Sequence, residues 1–119
     1  MIVKIMAVGD VCGEPGLDYI TKNLRRIRKE LELDFVVVNG ENANVVGITP
    51  KQADTILHAG ADVITLGNHT WTRTELRPYL DERRRIVIAL HLRDHGRMDV
   101  QRTRLEIVCL RRHDVLDPL

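Results

Sequence analysis

Five side chains in this sequence could gather around a divalent cation, and each stands just after a short apolar run. Asp10 follows Ile2–Val8 and Gly9; Glu41 and Asn42 follow Phe35-Val36-Val37-Val38 and Asn39-Gly40; Asn68 and His69 follow Val63–Leu66 and Gly67. Carboxylate and amide oxygens suit hard or borderline divalent metals, and imidazole completes sites for zinc, iron or manganese. Two metals about 3.5–4 Å apart need a bridging carboxylate, and such a pair clamps the attacking and leaving oxygens of a phosphoryl group. Asp10, Glu41 and Asn68 offer ligands of that kind. Imidazole as a side chain titrates near neutrality, so His69 could protonate a leaving oxygen. Each residue also has a plainer reading: Asp and Asn after a strand are common turn formers, and a lone histidine is often a loop residue. Trp71 reads as a packing anchor and Cys12 as an inert thiol.

What would bring these residues together is the order of the elements. Short β-branched runs closed by glycine read as buried parallel strands, and in an open parallel sheet ligands bind beyond the carboxyl ends of the strands. After the first strand, residues 9–16 form a glycine-rich turn that feeds a helix with Leu17, Ile20, Leu24, Ile27 and Leu31 on one face. Lys22, Arg25, Arg26 and Lys29 fall mostly on its solvated side. Thr49-Pro50-Lys51-Gln52 carries a capping box with proline at the first helical position, and Gly60 ends that second helix. Thr72 or Thr74 caps a third, shorter helix containing Leu76, Tyr79 and Leu80, with Pro78 obscuring its start. Residues 86–90 read as a fourth strand, and 105–110 could be one more. The βαβαβ alternation implies right-handed crossovers.

The bulk composition narrows the field. A chain of 119 residues makes one domain at most, and 44% hydrophobic with 29% charged residues is ordinary for a soluble globular protein. A net charge of +1 gives no reason to expect nucleic acid or a membrane as partner. Two cysteines form no spaced motif, which fits a reduced, cytoplasmic compartment. No run reaches the roughly 18 apolar residues of a membrane span. There is no serine anywhere, so a serine nucleophile is excluded. A competing reading takes Gly9, Gly13 and Gly16 as a loosened dinucleotide fingerprint with Glu41 on a ribose. The spacing is wrong for it, and Asp10 would set a carboxylate against a pyrophosphate that wants N–H donors.

Gly9-Asp10-Val11, Asn39-Gly40-Glu41-Asn42-Ala43 and Gly67-Asn68-His69-Thr70-Trp71 resemble the calcineurin-like metallophosphoesterases, and more closely the YmdB-like branch of bacterial cyclic-nucleotide phosphodiesterases. The resemblance spans residues 1–80. It implies an α/β fold, a parallel βαβαβ sheet with flanking helices forming the front half of an αββα sandwich. It also implies a two-metal site of iron, manganese or a similar ion. In that comparison Asp10 matches a ligand of the first metal, Glu41 the bridging ligand, Asn68 a ligand of the second, and Asn42 a ligand or near-ligand. His69 matches the residue that protonates the leaving group or steadies the phosphate. The implied reaction is attack of a metal-bound hydroxide on a phosphodiester, with 2′,3′- or 3′,5′-cyclic nucleotides as substrates.

Two departures qualify the match. Cys12 stands where the wider family has the histidine of Asp-x-His, a histidine the narrower branch also lacks. More serious, the family adds a lone histidine and a His-x-His pair from later strands, whereas His91, His95 and His113 form no such pair. From Arg83 onward the chain holds nine of its eighteen Lys and Arg residues, all arginine, and one glycine. The expected division is therefore a partial metallophosphoesterase domain over residues 1–90 and an Arg-rich tail over 91–119. The alternative to an active enzyme is a non-catalytic remnant that binds a metal or a partner chain. A half-sandwich would bare one sheet face, so self-association into a homo-oligomer is expected.

Overall fold

Runs of β-branched residues become strands here, and the amphipathic stretches between them become helices. In a computed structural model, which describes residues 2–67, 69, 74–82, 85–88 and 104–110, β1 (Ile2–Val8) leads through α1 (Gly13–Glu30) to β2 (Phe35–Asn39). From there α2 (Pro50–Ala59) leads to β3 (Val63–Leu66), and α3 (Leu76–Glu82) to β4 (Ile86–Ile88). A further strand, β5 (Arg104–Leu110), lies against β1. The sheet order is β4-β3-β2-β1-β5 and every neighbouring pair is parallel. The α/β class with a parallel βαβαβ core is the architecture expected from the sequence.

Because β1 to β4 step across the sheet in one direction, right-handed crossovers put α1, α2 and α3 on the same face. Packing of α1 against α2 and the bond from the Tyr79 hydroxyl of α3 to Asp54 Oδ1 of α2 (2.6 Å) agree with that. The register then sorts each strand by parity. Met6, Val36, Val38, Ile64 and Leu66 point under the helices and are fully buried, against Leu17, Ile20 and Leu24 of α1, Ile56 of α2 and Leu76 of α3. Val3, Ile5, Ala7, Val37 and Val63 take the opposite face and are half-buried, beside the exposed Phe35.

Local signals explain the helix ends. The expected capping box is present, with Gln52 N–H donating to Thr49 Oγ1 at 3.2 Å and Thr49 N–H to Gln52 Oε1 at 3.0 Å. Gly60 ends α2 with φ +124°. α1 starts at Gly13, earlier than the expected turn over residues 9–16 allows. Pro15 sits in its first turn, where amide N–H groups have no intrahelical acceptor and proline loses nothing. Pro78 occupies the same kind of position in α3. Leu31, expected on the apolar face, is the C-cap of α1 and 41% exposed. Thr72 and residues 89–90 lie outside the described residues.

At the amino ends of the strands, Arg28 and Asp62 form an ion pair of 2.8 Å, and the Asp62 carboxylate also takes the Val36 N–H at 2.8 Å. Arg28 further donates to Gly60 O at 2.7 Å and Asp34 O at 3.1 Å. These bonds tie the return from α1 into β2 to the return from α2 into β3.

Candidate active site

At the carboxyl edge the chain after β1 and the chain after β2 are sewn together. Val11 N–H donates to Asn39 O and Gly13 N–H to Asn42 O, both at 3.0 Å. Gly40 N–H donates to Thr65 O at 3.0 Å, which joins the second loop to β3. The loop over residues 40–48 is rooted by Ala43 and Ile48, both fully buried. Gln52 braces it from α2, donating to Ala43 O at 3.2 Å and Asn44 Oδ1 at 3.3 Å. The α2 cap and the loop therefore share one residue.

On this frame four of the five expected site residues form a single hydrogen-bonded chain. Asn42 Nδ2 donates to Asp10 Oδ1 at 2.7 Å. That bond leaves Asn42 Oδ1 facing His69 Nδ1 at 3.2 Å, so Nδ1 carries the ring hydrogen. Glu41 Oε1 accepts the His69 backbone N–H at 3.2 Å and lies 3.4 Å from Nδ1. Asn68, the fifth, lies outside the described residues. Asp10 is exposed, while the Glu41 side chain retains only 17% of its surface. Asp10 also adopts φ +44°, a left-handed conformation that aspartate tolerates better than most residues.

The electrostatics of this edge are one-sided. Among the described residues the Lys and Arg ion pairs lie elsewhere, as Lys4–Glu32, Lys22–Asp18, Arg26–Glu30 and Arg28–Asp62. Two carboxylates without a paired Lys or Arg among the described residues, and the Asn42 amide oxygen, are oxygen donors of the type divalent cations take. Among the described residues no group of three His, Cys, Asp or Glu side chains converges as a metal cage. Cys12 is exposed.

Three features of the site escape residue-by-residue reading. A Cβ at Gly67 would stand 2.6 Å from Glu41 Cδ and closer still to Oε2, so only glycine lets that carboxylate lie across the end of β3. The Gly13–Asn42 backbone bond aligns Asn42 with Asp10. Val45, at the tip of the loop, holds φ +66° and is 69% exposed, an outlying conformation for a β-branched residue. A glycine between an apolar strand and Asn-His was the one visible signal of the first.

A family model described as YmdB-like protein matches residues 6–100. The 2′,3′-cyclic-nucleotide 2′-phosphodiesterase of Bacillus subtilis strain 168 is 36% identical over 81 residues, covering 67% of this chain and 31% of the relative. Among solved structures, a hypothetical protein from Thermus thermophilus superposes with a TM-score of 0.62 at 34% identity, over 71% of this chain and 32% of that one. A Mycoplasma pneumoniae protein described as a novel phosphatase superposes with a TM-score of 0.67 at 28% identity, over 74% and 32%. The chain thus spans about a third of the length of each of these three relatives. No described helix is long and apolar enough to cross a membrane.

Proposed function

Because this chain belongs to the YmdB-like family, we propose that its carboxyl edge is the site of metal-dependent phosphodiester hydrolysis acting on cyclic nucleotides. The observation that carries the reading is the chain Asp10–Asn42–His69–Glu41, assembled from three strand ends with no Lys or Arg paired to either carboxylate among the described residues. The name of the Bacillus subtilis relative supports a 2′,3′-cyclic nucleotide as substrate, with a 3′,5′-cyclic nucleotide next.

Asp10, Glu41, Asn42 and Asn68 would hold the divalent metal; the family resemblance implies two ions, of iron, manganese or a similar element. Bound there, a divalent cation supplies Lewis acidity to the phosphoryl oxygens and to water. The protein's own groups do the positioning. Asn42 spans Asp10 and His69, holding the carboxylate with its N–H and the imidazole with its carbonyl oxygen. With Nδ1–H fixed in this way, Nε2 is the ring nitrogen that exchanges a proton with the leaving oxygen. Glu41, accepting the His69 amide, sets where the histidine backbone sits.

Hydrolysis of bis-p-nitrophenyl phosphate with added manganese tests the reading. Turnover that falls by about 10²-fold or more in His69→Ala, as removal of a general acid does, and is abolished in Asn68→Ala, supports it. A second reading, a chain that holds a cation or a partner without turning anything over, is favoured by the sparse donor set among the described residues. Absence of turnover at every metal concentration would count against the first reading and support the second.

A further inference from the structure

On the helical side of the sheet, a groove of about 620 Å³ runs between α1 and α2. Its polar lining is Thr21 and Arg25 from α1 and Lys51, Asp54, Thr55 and His58 from α2. We propose that this groove is a second binding site, for a small phosphorylated polyol. Its volume lies within the range of small-molecule pockets, roughly 300–1,000 Å³.

Each helix contributes one cation and one hydroxyl a single turn apart: Thr21 with Arg25, and Lys51 with Thr55. Both hydroxyl hydrogens are committed to their own helices, Thr21 to Leu17 O at 2.8 Å and Thr55 to Lys51 O at 2.9 Å. The two threonine oxygens can therefore only accept, and what they accept from is a ligand donor such as a sugar hydroxyl. Arg25 is anchored by a bond to the His58 carbonyl, which keeps a planar cationic fork at the groove wall. Lys51 makes no ion pair among the described residues. Asp54, the one acid in the lining, takes the Tyr79 hydroxyl at 2.6 Å, and its backbone oxygen takes His58 Nδ1–H at 2.7 Å. Cationic donors beside acceptor-only hydroxyls suit a molecule carrying both a phosphate and free hydroxyls. Phosphate alone, or a sugar alone, satisfies half of the lining.

Amide chemical-shift titration of the full chain at neutral pH, with ribose 5-phosphate, inorganic phosphate and ribose as separate probes, tests the assignment. The expected result is saturable shifts at Thr21, Lys51 and Thr55 with ribose 5-phosphate, and an affinity at least about tenfold above that of either half-ligand. Lys51→Gln, on an exposed side chain, should weaken binding by about tenfold while leaving the unfolding midpoint unchanged; Arg25→Gln is the second variant. Shifts confined to Asp10, Asn42 and His69, no saturable shift, or unaltered affinity in both variants would overturn the site. Inorganic phosphate binding as tightly as ribose 5-phosphate would overturn the polyol assignment.

Discussion

Replacing Gly67 by alanine tests the geometry of the site with a single methyl group. That methyl would lie 2.6 Å from Glu41 Cδ and 2.8 Å from Oε1, with Oε2 nearer still, whereas ordinary contact begins at 3.4 Å. The carboxylate must therefore retreat by about 1 Å, and a bond already at 3.2 Å to the His69 amide cannot stretch that far and survive. Loss of a hydrogen bond to a charged acceptor costs roughly 1.5–3 kcal/mol. Since the Glu41 side chain keeps some contact with solvent, the lower part of that range is expected, about 1.5–2 kcal/mol, with a displaced His69 amide resonance. Gly9→Ala is the matched control, because a Cβ there meets nothing within 4 Å. Urea unfolding of both variants, with the shorter Glu41→Asp as a partner in a double-mutant cycle, reads the effect. In the cycle, aspartate should recover part of what alanine loses. Equal stability of Gly67→Ala and Gly9→Ala, with the His69 amide unmoved, would refute the seating of Glu41 against residue 67.

Thr49→Ala removes the side-chain half of the α2 capping box and should cost about 1 kcal/mol in urea unfolding, loosening the loop that Gln52 braces. Val45→Asn puts a residue that tolerates left-handed backbone where valine now holds φ +66°, and should raise stability by about 1 kcal/mol; a loss of stability would refute the strain at this position. The face carrying Val3, Ile5, Val37 and Val63 is apolar and, among the described residues, lies opposite the helices. Monomers rarely leave more than a few hundred Å² of such surface bare, so sedimentation should show concentration-dependent self-association that Val37→Lys abolishes. A strictly monomeric parent chain would contradict this.

Much of this protein was written locally. The strands over residues 2–8, 35–39 and 63–66 follow from β-branched runs, and α2 follows from Thr49, Pro50, Gln52 and Gly60, because caps and turns act through neighbours in the chain. That polar residues after successive parallel strands meet at one edge also follows, since a parallel sheet leaves them no other place. Tertiary structure decided the rest. The pairing of β5 with β1, with Ile2 opposite Arg104, joins segments about a hundred residues apart, and local pattern carries no record of such a partner. The need for glycine at position 67 comes from a carboxylate 26 positions earlier that only the folded sheet brings across it. The ring hydrogen of His69 is likewise settled by Asn42, whose amide is turned by Asp10. Residue types could be read from the chain, but orientation belongs to contacts between distant segments, and those exist only once the sheet has formed.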